Sequence, residues 1–297
     1  MTYPYKYPNI EKIIKYKKEG LILKIKYLGT AAAEGYPGIF CNCDYCQAAK
    51  NLGGKNIRTR SQCIVDDHLL IDFPADSYSH MLQHHIDLPN IHSILITHTH
   101  QDHLYLEDLG LRCDGFSHII NGTLTLYGNN SLKTKFHQLY NQNPTDTHLL
   151  GKLDCIELAE FIPVPIENYI ITPLLANHDK SEKCYIYLLE KDNRTLLYGN
   201  DTGWFSEATW HYLSGKKIDC LSLDCTHMKY KEGSNHMGFP DILQLIKQLE
   251  TLHCIKPDTK MILTHFSHNG HLLHTEMEAL ANPHGIQIAY DGLEVVF

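Results

Sequence analysis

The chain has 297 residues, 43% of them hydrophobic, enough for one large core, although length alone also permits two domains. Its 34 acidic residues outnumber 26 basic ones and give a formal charge of -8, which argues against any broad attraction to nucleic acid or an anionic membrane and confines phosphate recognition to local contacts. No window approaches the roughly 18 uninterrupted apolar residues that span a bilayer, and the opening run has no signal-like apolar core, so a cytoplasmic chain is expected.

Residues 1 to 21 read as an N-terminal extension and 22 to 297 as one domain. The extension is rich in Tyr, Lys and Pro, with a short helix expected from Ile10 to Lys18. Strand-like runs follow at Leu23 to Leu28, then at Gln62 to Val65 and His68 to Asp72, the last two forming a hairpin across Asp66-Asp67. Ala75 to His85 reads as a helix and Ile94-Leu95-Ile96 as a buried strand. Further strands are expected at Leu124 to Tyr127, Leu153 to Leu158, Tyr169 to Leu174, Tyr185 to Leu189, Thr195 to Tyr198, Cys220 to Leu223, Met261 to Leu263 and Gly292 to Val296. Helices are expected at Ser131 to Tyr140, Ser206 to Leu213, Pro240 to Leu252 and Thr275 to Ala281. The pattern is an α/β chain of two strand-rich halves with helices outside.

The buried run at Ile94 leads directly into Thr97-His98-Thr99-His100-Gln101-Asp102-His103. His98 and His100 alternate, which directs both imidazoles to one side of an extended segment, and Asp102 with His103 can begin a turn back toward the same cavity. Such crowding suits two neighbouring metal ions. His178, Asp201 and His265 recur in the same setting, each a polar tip after an apolar strand-like run. Most of the other histidines, such as His80, His84, His85 and His92, have no ligand-like context.

Asp72, His98 to His103, His178, Asp201 and His265 stand in the order that resembles the metallo-β-lactamase superfamily. The resemblance implies a four-layer αββα sandwich, two mixed β-sheets with helices on the outer faces. It implies that His98, His100 and His178 bind one divalent metal, that Asp102, His103 and His265 bind a second, and that Asp201 bridges them with a water or hydroxide. Asp72 would then support a ligand. Two cations sharing a water supply a nucleophile at neutral pH, so Asp102 and Asp201 count among the catalytic residues. The nitrogen and carboxylate donors admit zinc, manganese or iron. His100 stands where redox relatives carry glutamate, which points to hydrolysis.

Cys41-Asn42-Cys43-Asp44-Tyr45-Cys46 carries three of the 10 cysteines, with the two-residue spacing of structural zinc sites between Cys43 and Cys46. Within the superfamily, the Leu28-Gly29-Thr30 strand end followed by this loop resembles the PhnP-type cyclic phosphodiesterases of phosphonate breakdown. That resemblance implies His268, three residues beyond His265, as the fourth ligand of a structural zinc. It also implies His236, in Ser234-Asn235-His236-Met237-Gly238, as the general acid; the plain alternative is a cap for the helix near Pro240. His227 is the weaker competitor, and Arg58 and Arg60 are left outside the site.

The expected function is a dinuclear metal-dependent phosphodiesterase acting on a small substrate such as a cyclic ribose phosphate or a nucleotide-like diester, with no membrane or broad nucleic-acid partner and with a homodimer admitted. The rivals are a thioester or lactone hydrolase, a transfer-RNA 3′-processing nuclease, and a non-catalytic accessory protein of cofactor biosynthesis.

Overall fold

Alternation along the first strand sets the scheme of the molecule. In β1 (Lys24–Gly29), Ile25 and Tyr27 are fully buried while Lys24 and Lys26 are only partly so. The computed structural model describes residues 22–118, 121–140 and 151–297. The expected extension and its helix lie outside the described residues.

The first sheet runs β14-β1-β2-β3-β4-β5-β6 and the second β13-β12-β11-β10-β9-β8-β7. In the first, β2 (Gln62–Val65) and β3 (Leu69–Ile71) form an antiparallel hairpin. Its turn holds Asp66 and Asp67 at φ of 50° and 67°, the left-handed pair that a tight hairpin needs and that Asp tolerates. From β3 onward, β4 (Ser93–Leu95), β5 (Leu124–Gly128) and β6 (Leu153–Glu157) are parallel neighbours. They are linked through α2 (Ser77–His84) and α4 (Asn130–Tyr140), following α1 (Asp44–Leu52), with the single turn α3 (Leu106–Leu109) between β4 and β5. In the second sheet, β7 (Val164–Ile166), β8 (Tyr169–Leu175) and β9 (Tyr185–Lys191) are antiparallel. Then β10 (Arg194–Gly199), β11 (Ile218–Asp224), β12 (Ile255–Thr264) and β13 (Ile286–Ile288) run parallel. Their crossovers are α5 (Glu207–Leu213), α6 (Phe239–Thr251) and α7 (His274–Ala281), and β14 (Glu294–Val296) returns to pair with β1.

Three apolar cores make this a four-layer αββα sandwich. Ile25, Tyr27 and Leu95 of one sheet pack with Tyr187, Leu196 and Tyr198 of the other. Leu126, Leu132 and Phe136 belong to the outer layer on the first sheet, and Leu221, Ile242, Leu245 and Met277 to that on the second. Burying each such side chain stabilises by about 1.5–3 kcal/mol. Polar atoms inside are matched as well: Tyr27 Oη donates to Ser222 Oγ at 2.8 Å, and Tyr187 Oη to the Ile96 carbonyl at 2.6 Å. The Tyr185 amide also donates to the Thr97 carbonyl at 2.8 Å, so β9 of the second sheet grips the chain where the histidine cluster begins.

The expected strands and helices appear with ends shifted by a few residues; β12, for instance, begins at Ile255 rather than Met261. Four elements were not anticipated: α1, α3, β7 and β13. The two strands are three residues each, and β7, at the sheet edge, contains Pro165, which obscures a strand signal.

Candidate functional site

The parallel halves of both sheets deliver polar residues at their carboxyl ends, the region where open α/β sheets present ligands. Asp72 follows β3, His98 to His103 follow β4, Asp201 follows β10, Asp224 closes β11 and His265 follows β12, with His178 beyond β8. Asp72, Asp201 and His265 hold φ of 66°, 55° and 63°. Left-handed backbone costs a non-glycine residue about 1–3 kcal/mol and persists where surrounding structure demands it. Here it turns each chain sharply at the strand end and aims the side chain into a common cavity.

His98, His100, His178 and Asp201 offer donor atoms within 4.8 Å of one another, and so do Asp102, His103, Asp201 and His265. Asp201 belongs to both groups. Its Oδ2 lies 3.3 Å from His98 Nε2, 3.0 Å from His103 Nε2 and 3.6 Å from His265 Nε2. The seven residues are brought together from both sheets.

The imidazoles are oriented from behind. Asp72 accepts from His103 Nδ1 at 2.7 Å and from the Thr97 amide at 2.8 Å. His265 Nδ1 contacts Thr226 Oγ1 at 2.8 Å and lies 3.3 Å from Asp224. Asp179 accepts from His100 Nε2 at 2.8 Å, and the Asn235 carbonyl from His178 Nδ1 at 3.1 Å. With these outer nitrogens engaged as donors, His100 Nδ1 and His178 Nε2 face each other at 3.2 Å as two lone pairs. The Nε2 atoms of His98, His103 and His265 are buried and make no aligned hydrogen bond. Each unsatisfied buried group costs about 1–3 kcal/mol, and a cation among them relieves all of them at once. The donor set therefore fits divalent metals.

The electrostatics agree. Burial works against charge on His103, yet Asp102 and Asp72 hold its pKa well above the ordinary value. Burial likewise opposes ionisation of Asp201, but His265 and His103 keep it far below the usual carboxylate range. His98, by contrast, is pushed down by burial and by neighbouring His103. The cavity mixes neutral imidazole with anionic carboxylate, the potential that a cation needs.

His236 does not cap α6; Gly238 stands at that position, and its amide donates to Asp241 at 3.1 Å. The His236 ring stacks on His265 at 5.5 Å, and its Nδ1 is 3.1 Å from both Asp201 Oδ1 and Asp224 Oδ2. Burial lowers its basicity, but Asp224 and Asp201 prevail and its pKa rises to about 11. His227 stays behind it, at a ring distance of 5.7 Å.

Cys41, Cys43, Cys46 and His268 also converge within 4.8 Å. His268 Nδ1 is 3.6 Å from both Cys41 Sγ and Cys43 Sγ, and the Gly38 amide donates to Cys46 Sγ at 3.3 Å. A side chain at Gly38 would press on Cys41 and His268 at 3.1 and 3.2 Å, so glycine is what lets the loop close. Arg58 is buried against Thr30 and the Ala289 carbonyl, and Arg60 pairs with Asp76, so both are structural. Asp224, Asp179 and Thr226 complete the cavity without having been singled out from the sequence. The signal for Asp224 was available, since it too ends an apolar strand.

Residues 69–266 match the family described as Beta-lactamase superfamily domain. The chain belongs to the metallo-β-lactamase superfamily. With that membership it is a metal-dependent hydrolase. It is 25% identical to coenzyme PQQ synthesis protein B of Acinetobacter baylyi over 91% of this chain and 98% of that protein. Among solved structures it is similar to a diphosphatase from the PhnP family, with a TM-score of 0.71 and 23% identity over 93% of this chain and 98% of that one. It is also similar to Zn(2+)-bound PqqB from Methylobacterium extorquens, with a TM-score of 0.67 and 18% identity over 92% and 99% of the two chains. These likenesses show a shared superfamily fold. Among the described residues no helix is long and apolar enough to cross a membrane.

Proposed function

We propose that the chain is a dinuclear phosphodiesterase acting on a small diester such as a cyclic ribose phosphate or a nucleotide-like ester, in a cytoplasmic setting. One metal would be held by His98, His100 and His178, the other by Asp102, His103 and His265, with Asp201 shared. When bound, two such cations acidify a water between them and offset charge developing on the phosphoryl oxygens; zinc, manganese and iron all suit the donors. The remaining work belongs to the protein. Asp72, Asp179 and Asp224 fix the imidazole tautomers, and His236 carries the proton that a departing alkoxide requires, its Nδ1 held so that Nε2 is left to meet the leaving oxygen.

The observation that carries the reading is the row of inward imidazole nitrogens without hydrogen bonds, flanked by protonated His236. A cationic acid beside a pair of metal positions suits an anionic, poorly leaving substrate better than a thioester or lactone, which asks for no such donor. The cysteine loop with His268 would hold a structural zinc, in keeping with its three thiols and an imidazole and with ten free cysteines in the chain. The similarity to a PhnP-family diphosphatase supports the phosphate chemistry.

The similarity to coenzyme PQQ synthesis protein B over most of both chains favours a second reading, a cofactor-handling protein with the same metal positions. Protein reconstituted with manganese or zinc should hydrolyse bis(p-nitrophenyl) phosphate and a cyclic ribose phosphate faster than a matched thioester or lactone. Full metal loading with no turnover of any diester would give the second reading precedence.

A further inference from the structure

The cluster continues into a groove of about 620 Å³ on the His100 side. Gln101, Leu104 and Tyr105 from the loop after β4 form one wall, and Lys135, Gln138 and Leu139 of α4 the other. Among the described residues of this lining, Lys135 is the one cationic side chain besides whatever charge His100 takes. It is exposed, yet its Nζ donates to the Thr99 carbonyl at 3.0 Å, the peptide between His98 and His100. That contact uses one of three ammonium hydrogens and places the charge at the inner end of the groove. Lys133, two residues earlier, is paired with Glu157 at 3.7 Å, whereas Lys135 has no carboxylate partner among the described residues, Glu107 of the same lining included. In a chain of net charge -8, an unpaired ammonium anchored beside a cluster of metal-binding residues is there for an incoming anion.

The groove lies on a different flank of the cluster from His236. His178 stands between them, with ring centroids 5.0 Å from His100 and 5.0 Å from His236. A phosphorus over the cluster whose leaving oxygen points to His236 directs its other substituent toward the groove, where Tyr105, Leu104 and Leu139 offer apolar surface and Lys135 offers charge. We propose that this groove is a second anion subsite: Lys135 receives a phosphate, or less well a carboxylate, on the half of the substrate that keeps the cleaved phosphate. The inference rests on the phosphodiesterase reading and narrows it to substrates bearing two anionic groups.

The test holds the leaving group constant. Three p-nitrophenyl phosphodiesters, with 2-phosphoethyl, 2-carboxyethyl or ethyl as second substituent, are compared on metal-reconstituted wild type, K135M, K135R and K133M. Wild type, K133M and K135R should favour the phosphoethyl over the ethyl ester by at least tenfold in kcat/KM, with the carboxyethyl ester between. K135M should reduce that preference to under threefold. No preference in wild type, or one that survives K135M, overturns the proposal. Calorimetric binding of inorganic pyrophosphate and orthophosphate to the same proteins separates this inference from the reading beneath it. Without diester turnover, a tenfold pyrophosphate advantage lost in K135M still supports the subsite, and equal affinities refute it.

Discussion

His265 and His268 lie three residues apart beyond β12 and serve two clusters of different construction. His265 joins side chains gathered from five strand ends on two sheets, nearly all buried and each oriented by a partner behind it. His268 instead closes a short loop whose three thiols are neighbours in sequence, two of them partly exposed. The first is shaped by the fold whether or not an ion is present. The second has little besides Gly38 and a few hydrogen bonds to S atoms to hold it, so any ion there does the holding. Preorganisation by a core and assembly by a ligand are thus separated by a single turn of chain.

The sharpest way to break that contrast is Asp201→Asn, nearly isosteric. Turnover should fall to background, well beyond the ~10–100-fold typical of groups that only orient a ligand. Elemental analysis should show the buried cluster depleted while the cysteine loop keeps its equivalent. His236→Asn should lower turnover of an alkyl diester by about 10²–10⁴-fold and of a p-nitrophenyl diester far less, because p-nitrophenolate leaves without a proton; equal losses on both would remove His236 from its role. Asp179→Asn should cost ~10–100-fold in metal affinity, since the amide can no longer accept reliably from His100 Nε2. An unchanged metal titration would show that His100 needs no such support.

The smallest effect concerns the loop without metal. Burial slightly opposes ionisation of Cys43, but the Cys46 amide, the neighbouring thiols and His268 bring its pKa down to about 7, whereas burial pushes Cys46 up to about 12. As pH rises through 7 the Cys43 thiolate forms first, so alkylation followed by mass spectrometry should modify Cys43 before Cys46, with zinc protecting both. Equal rates across the pH range would mean the thiols do not sense one another.

Much of this was legible in the sequence because strand ends announce themselves. Apolar runs stopping at His98, His178, Asp201 and His265 mark both the strand and the side chain it presents, and the cysteine spacing marks its loop. What escaped had physical reasons. Asp179 and Asp224 act by touching residues 79 and 12 positions away in the chain, and an acid's partner is not written beside it. The three-residue edges β7 and β13 carry too few side chains for alternation to register. Helix α1 begins at Asp44, inside the cysteine motif, where ligand-type residues mask helical periodicity.

Asp201, rooted in one sheet, stands 3.0 Å from His103 and 3.3 Å from His98, rooted in the other. An ion lodged there would act as a rivet through the seam of the sandwich, binding the joined halves and not the parted ones. At a free concentration a hundredfold above its dissociation constant, such an ion would add about 2.7 kcal/mol to the cost of opening. Heat tolerance should therefore track metal supply, and a starved cell would hold a softer protein as well as an idle one.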